Sequence, residues 1–208
     1  MYYYDCAAHA SIVGIKEFIP HRYAGFLMVK EMRFLIKTFN NPTRPFAALI
    51  GGAKVSSKIS VLYSLLTKVD KLFIGGAMVF TFYYAMGMVD LGDSLVEYKF
   101  ATVAGDILKK AKENKVLIYL AKDALVMPTK AYSAMNEAAV TDIRSLTSRG
   151  IESGWMGVDI GPETIGLFKK ELLDCATILW NGISLCYIIS PCNTECNTYT
   201  HLTRAYAT

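Results

Sequence analysis

Two short apolar runs, Phe46–Ile50 and Leu72–Ile74, each end in a glycine pair and each lead into a helical pattern. That repeat constrains the fold more than any other feature of the chain. Strands apolar at successive positions are buried on both faces, as parallel strands are, and parallel neighbours need a crossover, usually helical, between them. The first crossover carries Ile59, Leu62, Leu65 and Leu66 at helical spacing. Phe100–Lys112 reads as a further helix, Val116–Leu120 as a strand, and Gly154–Ile160 as an apolar run with one Asp. Pro162-Glu163 opens a helix reaching about Asp174, since Pro suits the first helical position and an acid the first turn. Ile178–Trp180 is a last strand, ending at Asn181-Gly182. The expected fold is α/β: a doubly wound, Rossmann-like parallel sheet.

Ligands of such sheets sit at the carboxyl ends of the strands. Here those ends carry Gly51-Gly52, Gly75-Gly76, Asp123, Gly161 and Asn181-Gly182. Ahead of the sheet, residues 24–39 read as an amphipathic helix, with Met28, Met32, Leu35, Ile36 and Phe39 on one stripe and Asn40-Asn41-Pro42 as its stop. Residues 183–208 are rich in Cys, Asn and Thr and show no period.

Composition narrows the functional classes. With 53% hydrophobic and 12% aromatic residues, the 208-residue chain is no disordered polymer. The net charge of +4 is mild and its Lys and Arg are dispersed, so no nucleic-acid partner is expected. Five cysteines with no secretory pattern before them favour a reducing compartment over a disulfide framework. Leu72–Val89 lacks charge and is long enough to suggest a membrane span. Its glycines, and Asp70, Lys71 and Asp90 beside it, favour a buried strand turning into a buried helix, so no membrane is expected.

The sharpest local motif is Gly51-Gly52-Ala53-Lys54-Val55-Ser56-Ser57-Lys58. A strand ends, two glycines turn the chain and a helix begins, so Lys54 and Lys58, four apart, share one helix face, and an anion between them relieves their repulsion. The free N–H groups of a helix start act in the same sense. The other reading is two solvated lysines on a surface helix. The motif is no Walker loop, because Gly-x-x-x-x-Gly-Lys is absent. Gly75-Gly76 reads either as a shelf for a nucleotide base or as a tight strand-to-helix turn. Cys186, Cys192, Cys196 and His201 lack the paired Cys-x-x-Cys of structural zinc sites, so no metal site is expected there. His9, His21 and His201 are scattered, and no nucleophile elbow accompanies them.

Pro45–Ile59 resembles the signature that opens the nucleotide-binding half of phosphoglycerate kinases. Ala24–Met28, Ile74–Phe82, Gly154–Glu163 and Trp180–Gly182 match that family in the same order, so the resemblance runs from about Ala8 to Gly182. It implies phosphoryl transfer between 1,3-bisphosphoglycerate and ADP with magnesium, by two doubly wound lobes joined by a long helix. Carried over, Lys54 and Lys58 contact the nucleotide phosphates and the transferring group. Gly52 and Ala53 line the phosphate and adenosine side, Gly75 and Gly76 flank the adenine, Val158 is an apolar adenine contact, and Asn181 lies near the phosphates. The implied organisation is 1–45 as a remnant of the N-terminal lobe plus the interdomain helix, 46–182 as the nucleotide-binding domain, and 183–208 as a divergent tail.

The chain also departs from the family pattern. The family's Ala-His-Arg-Ala-His segment is reduced to Ala7-Ala8-His9, with Ala7 at the basic substrate position, so the 3-phosphoglycerate site is expected to be largely missing. Ala121-Lys122 stands where the family has Leu-Pro, Ile183 where it has Pro, and Ile188 where a ribose-binding Glu is expected. The Gly-Gly-Gly-Asp-Thr loop, whose Asp serves the magnesium, and the final Gly-rich helix start have no counterpart. The lobe is therefore expected to be incomplete and the activity impaired or absent. The alternatives are a non-catalytic ATP/ADP-binding module or a truncated product without activity. A monomer is expected, in the cytoplasm or alternatively the plastid.

Overall fold

The computed structural model describes residues 14–19, 21, 23–88, 90–133, 142–148 and 150–182. The chain divides into two units between Pro42 and Thr43. In the first, the expected amphipathic helix forms as α1 (Phe26–Asn40). None of its residues is buried, and Phe26 is 97% exposed.

The second unit follows the alternation read from the sequence. Its elements are β1 (Phe46–Ile50), α2 (Ile59–Leu65), β2 (Lys71–Ile74), α3 (Val79–Ala85), α4 (Ala101–Glu113), β3 (Leu117–Leu120), β4 (Asp123–Pro128), α5 (Thr129–Ser133), β5 (Asp142–Ser145), β6 (Trp155–Ile160), α6 (Pro162–Leu173) and β7 (Thr177–Asn181). Four strands form a parallel sheet in the order β3-β2-β1-β7. All five residues of β1 are buried, which its central place in the order requires. On one face Ala47, Leu49 and Phe73 pack with Phe168, Leu172 and Cys175 of the α6 segment. Phe73 stacks on Tyr119 and meets Phe168 edge-on.

The run at Gly154–Ile160 is a strand, but not one of the parallel sheet. As β6 it pairs antiparallel with β4, and β5 completes a second, three-stranded sheet in the order β5-β4-β6. The cause is connection length. Only Ala121 and Lys122 separate β3 from β4, far short of a parallel crossover, so β4 cannot follow β3 as its parallel neighbour, and β6 pairs with β4 instead. Ala77, Val79, Phe80 and Tyr83, from α3 and the turn before it, pack with Ala124 and Val126 of β4 and with Leu146 and Ile151. Gly157 fits here because a Cβ would lie 2.1 Å from Cζ of Phe80.

Of the uncharged stretch, residues 72–88 resolve into the end of β2, a turn, the seven-residue α3 and the turn after it. Among the described residues no helix is long and apolar enough to cross a membrane. Cys186, Cys192, Cys196 and His201 lie outside the described residues, as do His9 and Ala7.

Candidate nucleotide-phosphate site

Three chain segments meet at the carboxyl ends of β1, β2 and β7. Gly51 N–H donates to the carbonyl of Asn181 (3.0 Å), Gly75 N–H to that of Ile50 (3.0 Å), and Met78 N–H to that of Gly52 (3.0 Å). The approach is close enough to demand glycine. A Cβ on Gly76, where φ is +69°, would stand 2.7 Å from the Gly52 oxygen. One on Gly182, where φ is +106°, would stand 2.0 Å from the Gly51 oxygen. Gly75 and Gly76 are buried, and Gly76 packs directly on the Gly52 backbone. These contacts are those of a tight strand-to-helix turn.

The loop after Gly52 differs from the expectation. Helix α2 begins only at Ile59, and Lys58 occupies its N-cap. Residues 53–58 form a turn, closed by Lys58 N–H on the Val55 carbonyl (2.8 Å) and by the Ser57 hydroxyl on the Lys54 carbonyl (2.8 Å). Val55 is the reason: its fully buried side chain pins the turn to the core before a helix can start. Lys54 and Lys58 therefore do not stack on one helical face. Lys54 is exposed and has no ion pair among the described residues. Lys58 is half-buried, and its Nζ donates to Oδ1 of Asn181 at 2.5 Å. Its Cε lies 3.9 Å from where a Gly52 Cβ would be, so the side chain passes over the Gly52 backbone. Ala53 packs partly buried against the α3 cluster.

A further group was not visible in the motif. Ser56 gives its backbone N–H to one carboxylate oxygen of Glu97 (2.9 Å) and its hydroxyl to the other (2.7 Å). Glu97 in turn donates its own N–H to Oγ1 of the fully buried Thr81 on α3 (3.0 Å). No spacing rule links positions 41 residues apart, so sequence reasoning had no signal for this contact.

Two strand-end residues serve a structural purpose instead. The buried carboxylate of Asp123 accepts from Glu163 N–H (2.9 Å), Thr164 N–H (2.8 Å) and the Thr164 hydroxyl (2.5 Å). It satisfies the first turn of α6, whose own N-cap, Gly161, offers no side chain. Gly161 leaves the room for it, since a Cβ there would lie 2.2 Å from Oδ2. Val158 is 2% exposed and packs with Met127 and Met156 on the three-stranded sheet.

The first residue of β2 anchors a separate polar cluster. Lys71 Nζ donates to the carboxylate (2.7 Å) and to the carbonyl (3.0 Å) of Glu171, and the Tyr119 hydroxyl donates to the same carboxylate oxygen (2.6 Å). The hydrogen bond to Glu171 raises the Lys71 pKa above its ordinary value. Those from Lys71 and Tyr119 hold Glu171 below the usual carboxylate range. Burial, with the bond to Glu171, pushes Tyr119 up to about 12.

Comparison with known proteins decides the lineage. Residues 4–186 match the family model described as phosphoglycerate kinase. The chain belongs to the phosphoglycerate kinase family. Phosphoglycerate kinases of Pseudothermotoga lettingae and Nitratiruptor are 49% and 46% identical to it over 175 and 177 residues, in each case 84% of this chain and 42% of the relative. Chloroplastic phosphoglycerate kinase 1 of Arabidopsis thaliana is 45% identical over 84% of this chain and 35% of its own length. The solved phosphoglycerate kinase of Coxiella burnetii superposes with a TM-score of 0.76 at 30% identity, over 89% of this chain and 46% of that one. The chain thus spans under half the length of these family members. The four-stranded parallel sheet agrees with the family's fold.

Proposed function

We propose that the turn from Gly52 to Lys58, together with Asn181, binds the phosphates of ADP or ATP, and that the chain supplies the nucleotide side of phosphoryl transfer between 1,3-bisphosphoglycerate and ADP. The observation that carries this reading is the Lys58–Asn181 hydrogen bond above the Gly52 backbone. A neutral amide oxygen orients the ammonium without cancelling its charge, and the amide keeps two N–H donors for a phosphate oxygen. Absence of a side chain on Gly52 lets the Lys58 side chain pass close over the backbone there. Lys54, exposed on the same turn, adds a second positive charge. Gly75, Gly76, Ala53 and Val158 are assigned to the adenosine side by family resemblance.

Phosphoryl transfer depends mainly on positioning and on neutralising charge around the equatorial oxygens. Lys58 and Lys54 do this from one side. Magnesium at such a site takes most of its ligands from the nucleotide phosphates and water, so it would come with the nucleotide. The second reading is a nucleotide-binding module without turnover of its own. The family resemblance carries with it a monomer of the cytoplasm or plastid.

Calorimetric titration of the 208-residue protein with ADP, with and without magnesium, tests binding. The expected result is a single site lost in Lys58→Ala; no heat in the parent protein removes both readings. A coupled assay with 3-phosphoglycerate and ATP then separates them, since turnover at an ordinary kinase rate would exclude the binding module.

A further inference from the structure

We propose that Glu97 is a positioning residue for the phosphate-binding turn, an inference that rests on the function proposed above and deepens it. Between Ala53 and Lys58 the chain has neither strand nor helix to fix it. Ala53 and Lys58 tie its two ends to the α3 cluster and to Asn181, and its middle is held from outside by the buried Val55 side chain and the Glu97 carboxylate. Glu97 uses both oxygens on one residue, Ser56, two positions before the lysine that reaches Asn181. It is itself fixed at its backbone, through the Thr81 hydroxyl, to a helix in the core. The path therefore runs from α3 through Glu97 to Ser56 and on to Lys58.

The chemistry suits a phosphate site. A carboxylate with free oxygens beside a polyphosphate would repel it. Here both oxygens take donors from Ser56, so the negative charge faces into the turn. Bonds to an ionised acceptor are also stronger than neutral ones, which suits a turn that must hold still while a ligand binds.

The test compares the parent with Glu97→Ala, Glu97→Gln, Ser56→Ala and the double variant Ser56→Ala/Glu97→Ala. ADP affinity is read by calorimetry, the backbone amide at position 56 by hydrogen exchange, and folding by thermal midpoint. Glu97→Ala should weaken ADP roughly ten-fold and speed exchange at position 56, with a lowered midpoint that still leaves the protein folded at the temperature of the titration. Glu97→Gln, which keeps one acceptor oxygen, should recover part of the affinity, and the double variant should bind no worse than Glu97→Ala. Parental ADP affinity in Glu97→Ala, or unchanged exchange at position 56, overturns the proposal. If the parent binds no ADP, the nucleotide reading fails by itself. In that case position 56, protected in the parent and fast in Glu97→Ala, upholds the clamp, and equal exchange refutes it. Should Glu97→Ala not fold, Glu97→Gln and Ser56→Ala carry the same comparison.

Discussion

Lys58 and Asn181 lie 123 residues apart in the chain, yet the ammonium of one hydrogen-bonds the side-chain oxygen of the other. The pairing joins the cap of α2 to the last residue of β7.

The acceptor's neutrality makes a prediction. Asn181→Asp keeps an oxygen for Lys58 but adds a charge that opposes a phosphate. It should weaken ADP binding more than Asn181→Ala, which should itself lose about 1 kcal/mol. Calorimetry at low and high salt reads the order, and an Asn181→Asp protein that binds as well as the parent would show that phosphates do not reach this pair.

Gly182→Ala should be strongly destabilising. It places a Cβ 2.0 Å from the Gly51 oxygen at a φ of +106°, and the strain alone is worth about 1–3 kcal/mol. Gly166→Ala is the control. It sits within α6 with nothing inside 4 Å of the new Cβ, so it should stabilise by up to about 1 kcal/mol. Urea unfolding of the two variants should shift in opposite directions.

Asp123→Ala removes the acceptor for two N–H groups and a buried hydroxyl at the start of α6. A loss of about 3 kcal/mol is expected, with Asp123→Asn losing less because it retains one acceptor oxygen. Equal stability of the two variants in urea would count against the capping role.

The Lys71–Glu171–Tyr119 cluster predicts loss of stability at both pH extremes. Glu171 ionises at lower pH in the fold than in the unfolded chain, so its contribution is complete above the ordinary carboxylate pKa and is lost as pH falls through the lowered value. Lys71 is raised, so its contribution is complete below 10.5 and is lost as pH rises through the folded value. Tyr119 acts in the same direction, with a contribution that falls between 10.0 and about 12. Urea midpoints measured against pH should show both limbs, and Glu171→Gln should flatten the acid one.

Much of the fold was legible because the strands of the parallel sheet announce themselves locally. In β1 and β2, burial from both sides writes apolar residues at consecutive positions, the half-buried β7 keeps the same run at Ile178–Trp180, and Gly76 after β2 marks a turn that tolerates no side chain. The second sheet was not legible. β4 and β5 were unread, and β6 was assigned to the wrong sheet, because strand direction depends on the two-residue connection after β3. The site divided in the same way. Lys58 and Asn181 meet beside the glycines at the strand ends, while the four-residue spacing of Lys54 and Lys58 misled because it presumes a helix that starts only at Ile59, after the buried Val55. Glu97 left no trace in the motif, since its tie to Ser56 exists only in three dimensions.

The register of β1 with β7, from Phe46 opposite Thr177 to Ile50 opposite Asn181, bears on biosynthesis. A ribosome delivers β1, β2 and β3 long before β7, and at about 5–20 residues per second several seconds pass between Lys58 and its partner. Until Asn181 clears the exit tunnel, the glycine rim exists without its closing strand. A nascent polypeptide arrested before that point would hold most of this sheet and still leave the Lys58 ammonium without its tether.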